Sequence, residues 1–186
     1  MRKLIVSMMI SLDGYTEGPG KELDWHVWNS EMDDYMMEFF RHIDGIVLGR
    51  VSYELMAAYW PAVQTENAGI THKMNNLPKY VFTHTLVKAE WNNTLLLGGP
   101  VEEEILKLKR EEGRDIVFFG GKTLLSDLHK PGLVDEYRLI INPVILGSGN
   151  PLFGDRKDKK KLELMHTKTF QCGNVLLCYR ARKDES

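Results

Sequence analysis

Cysteine is scarce in this chain, with two, Cys172 and Cys178, among 186 residues. They stand six apart in a strand-like segment, roughly 20 Å if extended, which is too far for a bridge between them. Both are expected as free thiols, in keeping with a reducing, cytoplasmic compartment. Long apolar runs are absent too, and no stretch reaches the ~20 residues of a membrane-spanning helix. The opening "MRKLIVSMMISLDGY" places basic residues before an apolar run, but Ser11 and Asp13 end that run early and no small-residue cleavage site follows. It reads as a first strand. Neither sign of charge prevails, with 24 Lys and Arg against 26 Asp and Glu. That balance gives no electrostatic footing for nucleic acid or an anionic membrane. The six histidines show neither H-x-x-x-H spacing nor a nearby cysteine pair, so no metal site is expected.

What is present is alternation. Short apolar runs, "KLIVSMMIS" (3–11), "GIVLG" (45–49), "KYVFTHT" (79–85), "NTLLL" (93–97), "DIVFFGG" (115–121) and "DEYRLIINPVI" (135–145), read as strands. Between them, helical periodicity appears over 30–43, with Ser30 as N-cap and Met36, Met37, Phe40 and Ile43 as its stripe. It recurs over 50–60, ended by Pro61, over 101–113 after Pro100, and over 122–130. The tail, 161–170 and 175–181 joined by Cys172-Gly173-Asn174, reads as an antiparallel hairpin. The whole length, 1–186, is expected to form one α/β domain: a mostly parallel sheet flanked by helices, with an antiparallel C-terminal edge. Residues 13–25 are turn-rich, 62–78 form the one weak linker, and "DRKDKKK" (155–161) reads as a solvated loop.

Glycine is concentrated where strands hand over to helices. Gly49 precedes Arg50 at one such junction, and Gly120-Gly121 occupy another. Glycine costs roughly 1 kcal/mol against alanine inside regular structure, so a pair of them at a junction points to a tight turn or a close approach. A helix start offers free N–H groups and a partial positive charge, and Arg50 adds a forked cation suited to phosphate. Thr83 and His84 end a third strand with a hydroxyl and an imidazole. In an open α/β sheet these strand ends share one edge, which is where ligands bind. The convergence points to a dinucleotide held by two phosphate contacts. It is not a Rossmann fingerprint, since "GGKTLL" lacks G-x-G-x-x-G. Nor is it a P-loop, whose first glycine would fall on Ile116.

Taken in order, "SLDGY", "DGIVLGRVSYE", "FFGGKTLL" and "VDEYRLIINPVILGSGNPLF" resemble the dihydrofolate-reductase-like superfamily. The nearest likeness is to the C-terminal reductase domain of the bifunctional riboflavin-biosynthesis deaminase-reductase, in a stand-alone branch. The resemblance implies an eight-stranded mixed sheet, NADPH as reductant and a homodimer. It places Gly49, Arg50 and Ser52 at the central phosphates. Arg50, Thr83 and His84 would lie near the adenosine ribose and its 2′-phosphate. Gly120, Gly121, Lys122, Thr123 and Leu124 would wrap the pyrophosphate. Dihydrofolate reductases carry a carboxylate on the first helix, which here falls on Asp33. Asp13, on the first strand-end loop, is the other catalytic candidate, and Trp25, Met37 and Tyr53 are candidate walls of the substrate pocket. The implied activity is NADPH-dependent reduction of a pterin- or pyrimidine-like compound, related to 5-amino-6-(5-phosphoribosylamino)uracil reduction in riboflavin biosynthesis. The rival classes are a non-catalytic nucleotide-binding protein and a flavin-using oxidoreductase. The chain departs from the riboflavin enzymes in having no deaminase motif, in Tyr15 where they carry lysine, and in "AAYWPAV" where they carry a segment rich in Asp, Pro and Arg.

Overall fold

The apolar runs become one sheet in the computed structural model, which describes residues 1–63, 68–129, 133–154 and 159–182. Strands β1 (Leu4–Ser11), β3 (Ile43–Gly49), β4 (Lys79–Phe82), β5 (Thr94–Leu97), β6 (Asp115–Gly120) and β7 (Glu136–Asn142) run parallel. The hairpin of β9 (Leu162–Thr169) and β10 (Val175–Ala181) adds the antiparallel part, and the order is β5-β4-β3-β6-β1-β7-β10-β9. A small separate ribbon pairs β2 (Tyr15–Glu17) with β8 (Asn150–Pro151). This is the dihydrofolate-reductase-like mixed sheet.

Two helical layers follow from the alternation of side chains along the strands. In β3, Val47 joins the cluster under α4 (Val101–Arg110) and α5 (Lys122–Leu128). Its neighbours Ile46 and Leu48 point the other way, into the cluster under α1 (Ser30–Phe40), α2 (Arg50–Tyr59) and α3 (Ala68–Asn76). Strands covered on both faces have no polar side to show, hence the largely apolar run of β1, interrupted within only by Ser7, and the run 46–48 of β3.

Three of the local expectations differ from the structure. Helix α1 is capped by Asn29, whose side chain accepts the Met32 N–H, not by Ser30. Its buried stripe is Met32, Met36, Phe39 and Phe40, while Ile43 already belongs to β3. The segment expected as a linker holds α3, with Ile70 and Met74 buried, although 64–67 lie outside the described residues. Strand β7 is interior, between β1 and β10, so the exposed edge on this side is β9 alone, with Leu164 53% and Met165 48% exposed. The β9–β10 pairing shifts register between Cys178 and Tyr179, a bulge that leaves Met165 without an opposite residue. Of the basic run at 155–161, residues 155–158 lie outside the described residues.

The chain changes direction between β3 and β6. From β3 it steps outward through β4 to β5, whereas from β6 it steps past β1 to β7. The two crossovers diverge there, and the main chain of Gly49 meets that of Gly121. A Cβ on Gly121 would come 3.1 Å from the Gly49 Cα and N, and Gly121 has φ +123°. Gly121 is thus required twice, by its backbone angle and by its neighbour.

The opposite edge of the sheet is fastened by a buried cation. Lys79, wholly buried at the start of β4, donates from Nζ to the Asn75 carbonyl at 2.7 Å and the Asn92 carbonyl at 2.9 Å. Its ammonium also stands 4.3 Å from the centre of the Trp91 ring, a cation–π contact. Trp91 Nε1 donates to Asn75 Oδ1, so strand, helix α3 and the 84–93 connection close on one point. Burial pushes the Lys79 pKa from 10.5 down to about 8.

Gly121→Ala should lower unfolding free energy by about 2–4 kcal/mol, from strain at positive φ plus the contact with Gly49. Urea denaturation measures it, and an unchanged midpoint would show that the junction can open. For Lys79, the unfolded state binds more protons between pH about 8 and 10.5, so its contribution to stability rises with pH across that window. The stability difference between the wild type and Lys79→Met should therefore widen in favour of the wild type from neutral pH into that window, as followed by denaturation at each pH.

Candidate cofactor and substrate site

Six parallel strands turn their carboxyl ends to one edge, and the residues singled out in the sequence divide there into two groups. The first lies on β4, β3 and β6. The close pairing of Gly49 and Gly121 brings the starts of α2 and α5 together. Ser52 sits over Gly120, where a Cβ would come 2.8 Å from the Ser52 hydroxyl oxygen. Gly49 pairs with Phe82, so the Thr83-His84 turn stands beside Arg50. Thr83 Oγ1 accepts N–H bonds from Thr85 at 3.2 Å and Leu86 at 2.9 Å, which pins that turn, while His84 is exposed.

The helix starts are chemically open. Neither α2 nor α5 has a side-chain hydrogen bond at its N-cap, which is Gly49 in one and Gly121 in the other. First-turn N–H groups have no partner within their own helix and carry the positive end of its dipole. Two cations flank them. Arg50 commits one amino group to both Glu54 oxygens at 2.8 Å, and Lys122 donates to Asn150 Oδ1 at 3.3 Å. Backbone donors on side-chain-free residues beside an arginine and a lysine fit the phosphates of a dinucleotide. Thr123 is exposed at the same junction. The Leu124 side chain is buried in the core, so any part it plays toward a cofactor falls to its main chain.

The second group surrounds the ends of β1 and β7. In the β1–β6 register Gly120 lies level with Met8, and β1 runs three residues further to Ser11, roughly 10 Å at ~3.3 Å per residue. Asp13 follows, and both of its carboxylate oxygens are engaged. Oδ1 accepts from Ser11 Oγ at 2.7 Å and Leu146 N–H at 3.1 Å, and Oδ2 from Gly147 N–H at 2.8 Å. The Ser11 bond, helped by the two backbone N–H groups, holds its carboxyl below the ordinary value of 3.8, against a smaller opposing effect of desolvation. An acid so held is ionised near neutrality and fastens the 146–147 turn.

Asp33 differs. It lies in the first turn of α1 and accepts the Trp28 indole N–H on Oδ1 at 2.7 Å. Met37, one turn later, shares its helix face and is half-buried. The lead-in to α1 is clamped by two fully buried asparagines that the sequence reading missed. Asn142 Oδ1 accepts the Val27 N–H at 2.9 Å, and Asn174 Nδ2 donates to the Val27 carbonyl at 2.8 Å. Their signal was modest, an Asn before Pro143 and an Asn after Gly173, both at strand ends. Trp25 is half-buried nearby in the chain, its indole donating to the Glu22 carbonyl at 3.0 Å.

Tyr53 does not wall a pocket. One turn into α2 it points to the sheet, 4% exposed, and its hydroxyl accepts the N–H groups of Glu90 and Trp91, both at 3.1 Å. It is core. Among the described residues, no group of three or more His, Cys, Asp or Glu side chains is placed to hold a metal ion, and no helix is long and apolar enough to cross a membrane.

Comparison with known proteins agrees with this fold. The family model of the RibD C-terminal domain matches residues 2–176. The uncharacterized protein YyaP of Bacillus subtilis (strain 168) is 35% identical over 180 residues, 96% of this chain and 94% of that protein. The putative riboflavin biosynthesis protein from Shewanella sp. PV-4 superposes with a TM-score of 0.78 at 20% identity, covering 97% of this chain and 99% of that one. Dihydrofolate reductase from Enterococcus faecalis, solved in complex with NADP(H), does so with a TM-score of 0.64 at 18% identity, covering 97% and 96%. At such identities the two structures share the fold. With its sequence matched almost from end to end, this chain belongs to the RibD C-terminal domain family.

Proposed function

We propose that this protein is an NADPH-dependent reductase of a small pterin- or pyrimidine-like heterocycle, and that its physiological substrate is not phosphorylated. The observation that carries the reading is the junction of Gly49 and Gly121, where two uncapped helix starts meet between two cations at the sheet's switch point. Membership of a family of riboflavin-type reductase domains supports oxidoreductase chemistry.

NADPH, when bound, supplies a hydride for reduction of the substrate. Everything else falls to the chain's own residues. Arg50 and the Thr83-His84 turn offer charged and polar donors to a 2′-phosphate, and the Arg50–Glu54 pair that a phosphate would displace is exposed and worth only about 0.3–0.5 kcal/mol. Asp13 has its oxygens committed to holding a turn, which leaves Asp33 as the carboxylate for proton relay, its Oδ1 oriented by Trp28. Met37, on the same face of α1, offers an apolar wall beside it, and Trp25 is the other candidate wall.

The 15–22 loop speaks to the substrate. Tyr15 opens β2 opposite Pro151, in the place where the riboflavin enzymes carry lysine, and Glu17 and Glu22 add negative charge against Lys21 alone. Losing a charge-assisted contact and setting a phosphate near carboxylates costs on the order of 2–3 kcal/mol, about a hundredfold in binding.

Arg50→Ala should weaken NADPH binding several-fold while changing NADH binding less, as read from nicotinamide fluorescence. Equal losses for both cofactors would limit Arg50 to a pyrophosphate role. In turnover followed by NADPH absorbance, the phosphorylated riboflavin-pathway pyrimidine and dihydrofolate should be poor substrates and an unphosphorylated heterocycle a better one. Efficient reduction of the pyrimidine phosphate would overturn the loop argument.

A further inference from the structure

The connection between β7 and β8, residues 143–149, leaves the sheet at β7 and crosses the end of β1, where it is fastened repeatedly. Leu12 N–H donates to the Val144 carbonyl at 2.8 Å, Asp13 takes the N–H groups of Leu146 and Gly147, and Leu152 N–H donates to the Gly14 carbonyl at 2.9 Å. Gly149 packs so closely on the Glu17 carbonyl that a Cβ would overlap it. The connection ends at Asn150, in reach of Lys122 beside β6. It is a strap that spans β7, β1 and β6, joining the substrate end of the site to the phosphate end.

Asn150 occupies a constrained place in that strap. Its Nδ2 donates to Glu17 Oε1, its Oδ1 accepts from Lys122 Nζ at 3.3 Å, and its main-chain carbonyl accepts from Thr16 Oγ1 at 3.1 Å. The amide has only one sensible orientation here, because an ionised carboxylate can only accept and an ammonium can only donate. Glu17 therefore fixes the amide, and the amide draws the ammonium to one side. An ammonium has three donors, so a bond to Asn150 leaves others for an anion.

Resting on the cofactor reading above, we propose that Asn150 is a positioning residue that aims the Lys122 ammonium at a phosphate of the bound dinucleotide, and that Glu17 acts behind it. The strap thereby makes cofactor affinity sensitive to residues of the substrate loop that the cofactor need not touch. Thermodynamic reciprocity extends this: whatever orders residues 13–17 should tighten the cofactor by the same factor that the cofactor tightens it.

The test is a double-mutant cycle on NADPH dissociation constants, using Asn150→Ala, Lys122→Met and the pair, with Glu17→Gln as a second entry to the same relay. Asn150→Ala should weaken NADPH by about fivefold in the wild type and by less than about 1.5-fold in Lys122→Met, since the residue acts only through that ammonium. Glu17→Gln should show the same dependence on Lys122. Thermal unfolding of each variant checks that the fold persists, and if Asn150→Ala fails to fold, the Glu17→Gln cycle decides alone. Losses that simply multiply would overturn the proposal, as would an unchanged affinity in Lys122→Met. If the wild type does not bind NADPH, the cofactor reading falls and this inference with it. Binding by the wild type with multiplying losses removes this inference alone.

Discussion

The contact of two main chains, Gly49 against Gly121, is the constraint on which the arrangement of this protein turns. Parallel strands in one sheet stand about 4.8 Å apart, and side chains normally keep the segments that leave them separate. Here the segments leaving β3 and β6 touch, with no side chain between, before α2 and α5 depart to opposite faces. The same closeness that the packing demands gathers the open N–H groups of two helices at one point. A stability requirement and a binding opportunity thus fall on the same residues. Glycine at 121 cannot be credited to a ligand alone, since its φ and its neighbour already penalise any side chain there.

Much of this was legible in the sequence because it depends on local chemistry. Runs buried on both faces announce themselves by continuous hydrophobicity, and glycines at strand ends mark the junctions. Other features were hidden because they depend on partners far along the chain. Tyr53 looks like a pocket residue until its hydroxyl is found serving Glu90 and Trp91. Asn142 and Asn174 look like turn residues until both are seen to grip Val27. Helix α3 shows no period in the sequence because only Ile70 and Met74 of it are buried, too few to impose one. At the start of α1, Asn29 and Ser30 are both good caps, and the extended backbone of Asn29 and its bond from the Met32 N–H tell them apart.

Asp13 and Asp33 show how one residue type divides its labour by surroundings. Asp13, though exposed, takes three donors, the Ser11 hydroxyl and the N–H groups of Leu146 and Gly147, and serves as an anchor. Asp33 has a single indole donor and stands at the start of a helix, where negative charge is favoured. Sequence offers both as candidate acids, Asp13 on a strand-end loop and Asp33 in the first turn of a helix. The difference lies in the neighbours that the strap and the lead-in to α1 bring to each.

The bulge in the terminal hairpin carries a consequence for how copies of this molecule can meet. An outer strand with a regular ladder invites another strand to continue it, which is the common route to unwanted stacking. In β9 the register slips between His166 and Leu164, so the strand bends and the spacing of its outward N–H and C=O groups is broken midway. A straight partner strand could match one half of that row and not the other. Ladder extension on this flank is therefore disfavoured, and main-chain pairing alone cannot join two copies along the whole of this strand.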